Sequence, residues 1–158
     1  MDPDQGVGAL LSFGIAGALD PEIDCGELIV AEWVKGAEGE TFPCHPGWRE
    51  NLARRLGEAA LHPRGGGLLA STRTLLEPAD KTAAYRDSGC LATDMESGAV
   101  GAIAAEGGLP FLAVRAVAGR QWAAPWPRWR GVLPTSRRPS GWPGRASWRW
   151  PACACWKR

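Results

Sequence analysis

Asp94-Met95-Glu96-Ser97 puts two carboxylates and a hydroxyl into four consecutive positions, just ahead of a run of small residues. An ionised carboxylate only accepts hydrogen bonds, and it can take two hydroxyl donors at once in charge-assisted bonds. A pair of neighbouring hydroxyls on a ligand is therefore the natural thing for Glu96 to hold. A structural use competes with this one: acids and hydroxyls also favour the first turn of a helix, with Glu96 then a capping acid and Met95 core. A second stretch, Gly14-Ile15-Ala16-Gly17-Ala18, follows the apolar run Val7–Phe13. Glycines after a strand let the backbone turn sharply and come close to a ligand, although a tight turn without a ligand has the same pattern.

Other reactive side chains offer less. His45 stands alone in a polar Gly/Pro-rich segment and reads as a surface residue. The 5 cysteines, Cys25, Cys44, Cys90, Cys153 and Cys155, are odd in number and mostly scattered, which suits free thiols in a reducing cytoplasm. Cys153-Ala-Cys155 lacks a second pair or a nearby histidine, so no metal or other cofactor is expected. No apolar run nears the ~20 residues of a membrane helix, and no secretion signal precedes Val7. A cytoplasmic protein is the expectation.

The elements that must hold these residues read as follows. Gly98–Ala105 is Ala-rich, which gives a thin helix able to lie close to a sheet, and Glu106-Gly107-Gly108 ends it. Phe111–Val114 has the length of a buried strand. Strand, helix and strand across this stretch predict a crossover unit of a largely parallel sheet. Upstream, Val7–Phe13 and Leu28–Ala31 read as strands, Lys35–Pro46 as a loop, and Pro46–Ala60 as a helix with a charged outer face. His62–Gly67 reads as a turn, Leu68–Ala70 as a short strand, and Pro78–Tyr85 as a short helix.

The wording ATDMESGAV followed by GLPFLAVRAVA resembles the C-terminal half of the purine nucleoside phosphorylase and adenosyl-nucleosidase superfamily, and the DMES sequence is most similar to its hopanoid-associated phosphorylases. The resemblance covers about residues 7 to 118 and is strongest over Leu91–Ala118. It implies an α/β three-layer fold with a mostly parallel mixed sheet. It also implies that Glu96 accepts the ribose hydroxyls and that Met95 packs on the sugar face. SFGIAGALDP resembles the superfamily's glycine loop, so Gly14, Ala16 and Gly17 would line the substrate with backbone, with Ala18 where a further glycine is usual. Ser71–Leu75 matches the segment that meets the purine, with Leu75 where an aromatic is common. The implied partner is a small adenosyl nucleoside such as adenosylhopane, methylthioadenosine or S-adenosylhomocysteine, and the implied assembly is a homodimer.

Three departures qualify that picture. The superfamily's general acid, an aspartate, follows the strand-closing Arg-Ala-x-Ala; here Arg115-Ala116-Val117-Ala118 runs into Gly119. Such an acid is typically worth about a hundred to ten-thousandfold in rate. The phosphate-holding arginine of many phosphorylases has Ser12 and Phe13 in its place, so a hydrolase-like site, or a phosphate co-substrate held from elsewhere, is expected rather than the arginine arrangement. Nothing before Val7 supplies the superfamily's first strand or its water-activating glutamate, so an uncovered sheet edge and an impaired site, with no catalytic residue of its own, are expected.

The formal charge of +1 conceals an asymmetry: every Asp and Glu lies at or before Glu106, whereas 7 of the 9 Trp follow Gly119 together with nine cations. Residues 1–118 thus read as a partial phosphorylase-like domain and 119–158 as a basic tail without helical or strand period. A basic aromatic tail can stack on single-stranded nucleic acid, which is the reading from another functional class. We favour a shifted reading frame, because TGG tryptophan codons moved by one position yield recurring Leu and Ala and begin with Asp-Pro where the superfamily has its aspartate.

Overall fold

The computed structural model describes residues 6–119. The basic tail from Arg120 and the Cys153/Cys155 pair lie outside the described residues.

The first strand, β1 (Leu10–Ala18), alternates strictly at its start: Ser12 and Ala16 are buried while Leu11, Phe13 and Ile15 face outward, Phe13 with 74% of its surface exposed. It continues straight through Gly14-Ile15-Ala16-Gly17, so the segment read as a glycine loop is strand. The remaining strands are β2 (Leu28–Lys35), β3 (Thr41–Pro43), β4 (Arg64–Ala70), β5 (Ala92–Asp94) and β6 (Phe111–Gly119). Helices α1 (Pro46–Glu58), α2 (Pro78–Ser88) and α3 (Ser97–Glu106) complete the chain order. The expected loop before α1 contains β3, and the expected turn at His62–Gly67 is strand from Arg64 onward.

The sheet is mixed. β2, β4 and β5 run parallel, as do β1 and β6, and the two sets meet antiparallel at β1–β5 and at β2–β6. β5 and β6 are therefore antiparallel with β1 between them, and the β5–α3–β6 unit is not the parallel crossover that its order suggested. The strand order β3-β2-β4-β5-β1-β6 also bends back on itself, because Leu28–Val30 of β2 pairs with Val114–Ala116 of β6. The second half of the same β2 edge, Trp33–Lys35, takes β3. Five of the described strands thus close into a ring, and the uncovered edge expected of the sheet does not lie at β1, which has β5 on one side and β6 on the other.

Ala18, Ile29, Val34, Leu68 and Ala113 are fully buried within the ring. Helix α3 packs against β1 to β4 and β6. Its approach depends on missing side chains: a Cβ on Gly98 would come within 2.7 Å of the Ala70 Cβ, and one on Gly101 within 2.8 Å of the Phe42 ring. Helix α1 is capped by His45, whose Nδ1 accepts from Trp48 N at 3.3 Å, which gives the lone histidine a structural use. No helix among the described residues is long and apolar enough to cross a membrane.

Candidate functional site

β4 and β5 run side by side and end together at Ala70 and Asp94. Carboxyl ends of parallel strands are where open α/β sheets usually offer a ligand crevice. Ser71 N donates to Asp94 O at 2.8 Å, which holds the two departing chains together. One turn leads to Met95 and Glu96, the other to Thr72–Leu75. Thr74 Oγ1 approaches Met95 Sδ at 3.4 Å, so the segment expected to meet a purine lies against the residue expected to meet a sugar.

The turn itself stands on a buried polar base. Asp94 Oδ1 accepts from Ser97 N at 3.1 Å and from Ser97 Oγ at 2.7 Å, while Oδ2 accepts from Arg115 Nε at 2.5 Å. Asp94, Ser97 and Arg115 are all buried. Between them Met95 and Glu96 are both exposed, Met95 to 49%. Glu96 occupies the N-cap position of α3, but its carboxylate accepts no bond from the helix; the Asp94 carboxylate accepts from Ser97 N instead. The Glu96 carboxylate is met by Met95 N at 3.3 Å and is otherwise turned to solvent. The capping explanation of this acid therefore belongs to Asp94, and Met95 is not core.

The glycine segment comes to the same place from the other side. Gly17 is paired with Thr93 across one edge of β1 and with Gly119 across the other. A Cβ on Gly17 would have no heavy atom within 4 Å, so the strand faces open space there. Gly14 lies beneath the Arg115 guanidinium, 3.9 Å from a would-be Cβ. Ala16 is 5% exposed and belongs to the core, with only its backbone near the site. Gly119, where the sequence departs from its resemblance, thus sits beside Gly17, and Gly17 beside the strand that carries Asp94, at ~4.8 Å per strand spacing. Two grooves stand out elsewhere among the described residues. The larger, about 580 Å³, is lined by Leu11, Phe13, Trp48, Leu52, Leu112 and Val114 among others, and none of the expected site residues lines either one.

The sequence placed Asp94 only among the groups that favour the first turn of a helix, a use the Ser97 bonds bear out, and it gave Arg115 no role. The signal was present: an arginine inside the otherwise apolar Phe111–Val117 has to find a partner when buried. Among the described residues, no group of three or more His, Cys, Asp or Glu is placed to hold a metal. Burial pushes the Cys44 and Cys90 thiols above their ordinary value, opposed more weakly by hydrogen bonding and nearby cations, so neither is an activated nucleophile. Burial also lowers the Lys81 ammonium.

A closed mixed sheet with a thin helix seated against it, and a polar turn at the carboxyl ends of two parallel strands, defines an α/β protein. The chain belongs to the phosphorylase superfamily, whose profile it matches over residues 4–125. No curated protein matches it in sequence. Among solved structures it is similar to a putative methylthioadenosine nucleosidase of Weissella paramesenteroides, with a TM-score of 0.70 and 18% identity over 74% of this chain and 60% of that one. It is also similar to the 5'-methylthioadenosine/S-adenosylhomocysteine nucleosidase of Helicobacter pylori, with TM-score 0.69 and 15% identity over 73% of this chain and 56% of the other. Futalosine hydrolase of Helicobacter pylori follows with TM-score 0.67 and 16% identity, over 72% and 57%. The chain thus spans less than two thirds of the length of each of these structures.

Proposed function

We propose that this chain carries the nucleoside-gripping part of a site for cleaving the N-glycosidic bond of an adenosyl compound, with adenine as the released base. Glu96 accepts the ribose hydroxyls, Met95 lies on the sugar face, and the backbone at Gly14, Ala16 and Gly17 lines the other side. The observation that carries this reading is the exposed, non-capping Glu96 carboxylate just past the end of β5, a strand whose Thr93 pairs with the open Gly17. Water is the attacking group we favour over phosphate. Arg115, the arginine nearest Ser12, has its guanidinium engaged with Asp94 and Ser12 and has little left to offer an anion. The DMES wording points to adenosylhopane, and so to hopanoid biosynthesis in the cytoplasm, with a homodimer as the working form. The names of the structural neighbours favour methylthioadenosine or S-adenosylhomocysteine as the alternative substrate.

Because Gly119 replaces the expected acid, this chain should bind nucleoside and release little or no adenine. The test is calorimetric titration of the full chain with methylthioadenosine and adenosylhopane alongside an adenine-release assay. Binding without appreciable release, with release raised by Gly119→Asp, is expected. Failure to bind any ribonucleoside overturns the reading, and rapid release by the unaltered chain overturns its catalytic half.

A further inference from the structure

We infer that Arg115 is a positioning residue for Glu96, acting through Asp94 and Ser97, and that it sets how strongly the site distinguishes a ribose diol from a sugar lacking one. The inference rests on the assignment of Glu96 to the ribose hydroxyls and adds to it what holds that carboxylate in place.

Four of the guanidinium's five N–H donors are accounted for within the fold. Nε donates to Asp94; Nη1 donates to Ser12 O and Val114 O, both at 2.8 Å; Nη2 donates to Ser12 Oγ at 2.7 Å. Arg115 therefore ties β1, β5 and β6 to one carboxylate. Asp94 uses its other oxygen to hold both the N–H and the hydroxyl of Ser97, the first residue of α3. Residues 94 and 97 are thus fixed on either side of Met95 and Glu96, which alone reach solvent. An exposed side chain on a mobile turn would lose rotamer and backbone freedom on binding; one on a clamped turn has already lost part of it.

The electrostatics work in the same direction. Asp94 and Glu96 are two residues apart, and a buried carboxylate without a cation would be costly and would repel its neighbour. Arg115 neutralises Asp94, so Glu96 is left as the net negative charge facing the ligand. Lysine in its place keeps the charge but not the planar fork, and a single ammonium cannot serve Asp94, the Ser12 carbonyl and the Ser12 hydroxyl in this geometry.

The experiment compares adenosine with 2',3'-dideoxyadenosine by calorimetry on the full chain, together with Arg115→Lys and Ser97→Ala. Charge-assisted bonds to the diol should make the unaltered chain prefer adenosine by about ten- to a hundredfold. Arg115→Lys should bring that ratio close to one by weakening adenosine and leaving dideoxyadenosine unchanged. Ser97→Ala, which keeps the backbone bond to Asp94 and loses the hydroxyl bond, should reduce it severalfold. A general loss of structure would weaken both ligands alike, and circular dichroism identifies a variant that has not folded. If Arg115→Lys does not fold, the Ser97→Ala ratio decides. An unaltered chain that prefers adenosine, with variants that keep the full preference, overturns the inference alone. An unaltered chain without preference overturns the ribose assignment and this inference with it.

Discussion

Helices α1 and α3 both flank the sheet, yet they meet it in opposite ways. α1 has the better helical pattern, with Trp48, Leu52 and Leu56 on one side, and it buries no residue fully. α3 has no pronounced apolar stripe, and four of its ten residues, Ser97, Gly98, Gly101 and Ala104, are buried. The difference lies in side-chain size. Leucine and tryptophan hold α1 away from β1 and β6 and leave the apolar groove between them. Glycine and alanine let α3 settle onto Ala70 and Phe42. The candidate site is at the N-terminus of the helix that is seated closely, where a strand and a helix can share one carboxylate.

This contrast can be broken most severely at Arg115. Arg115→Ala leaves Asp94 charged and without its cation in the interior, and should lower unfolding free energy by about 3–5 kcal/mol in urea titration. A midpoint that does not move would mean that the closely seated side is not held by this pair. A smaller test sets glycine against glycine. Gly98→Ala on α3 should destabilise by about 1–3 kcal/mol through overpacking against Ala70. Gly57→Ala on α1, where a Cβ would meet nothing within 4 Å, should stabilise by about 0.5–1 kcal/mol. Shifts of the same sign would remove the distinction between the two helices.

The finest test is alkaline titration. Cys44 precedes α1 and Cys90 precedes β5, and burial raises both thiols in the fold. Below the ordinary thiol value of ~8.5 both states keep the proton and stability is indifferent to these groups. Above it the unfolded chain releases protons that the native chain retains. Stability should therefore fall with rising pH, by at most about 1.4 kcal/mol per unit for each thiol, until the folded values are reached. Cys44→Ala should flatten the slope seen by thermal unfolding between pH 8 and 10. An unchanged slope would show that the α1 end contributes nothing to it.

How much of this could be read beforehand depended on the kind of signal. The helices were legible because spacing marks α1 and the Gly107-Gly108 stop marks α3. The family was legible from ATDMESGAV. Gly14 and Gly17 misled because glycine usually punctuates, whereas here both lie inside a continuous strand, and a Cβ on Gly14 would make only ordinary contact with the Arg115 guanidinium at 3.9 Å. β3 was missed because three residues carry no period. Ring closure was invisible because it joins Leu28 to Ala116, and no local pattern encodes a pairing so distant in sequence. The network under Glu96 was missed for a related reason: Ser12, Asp94, Ser97 and Arg115 come from three separate segments, and only tertiary structure makes them neighbours.

The closed ring also has a consequence for how the protein is made. Leu10 must wait for Phe111, and Leu28 for Ala116, before their open sides are satisfied. At ribosomal speeds of ~5–20 residues per second, that leaves the nascent chain with two bare hydrogen-bonding edges for on the order of ten seconds. Among the described residues, a fold in which β1 and β6 are paired on both sides is thus preceded by an unfinished one with two bare edges, and the hazard of cross-pairing at those strands belongs to translation.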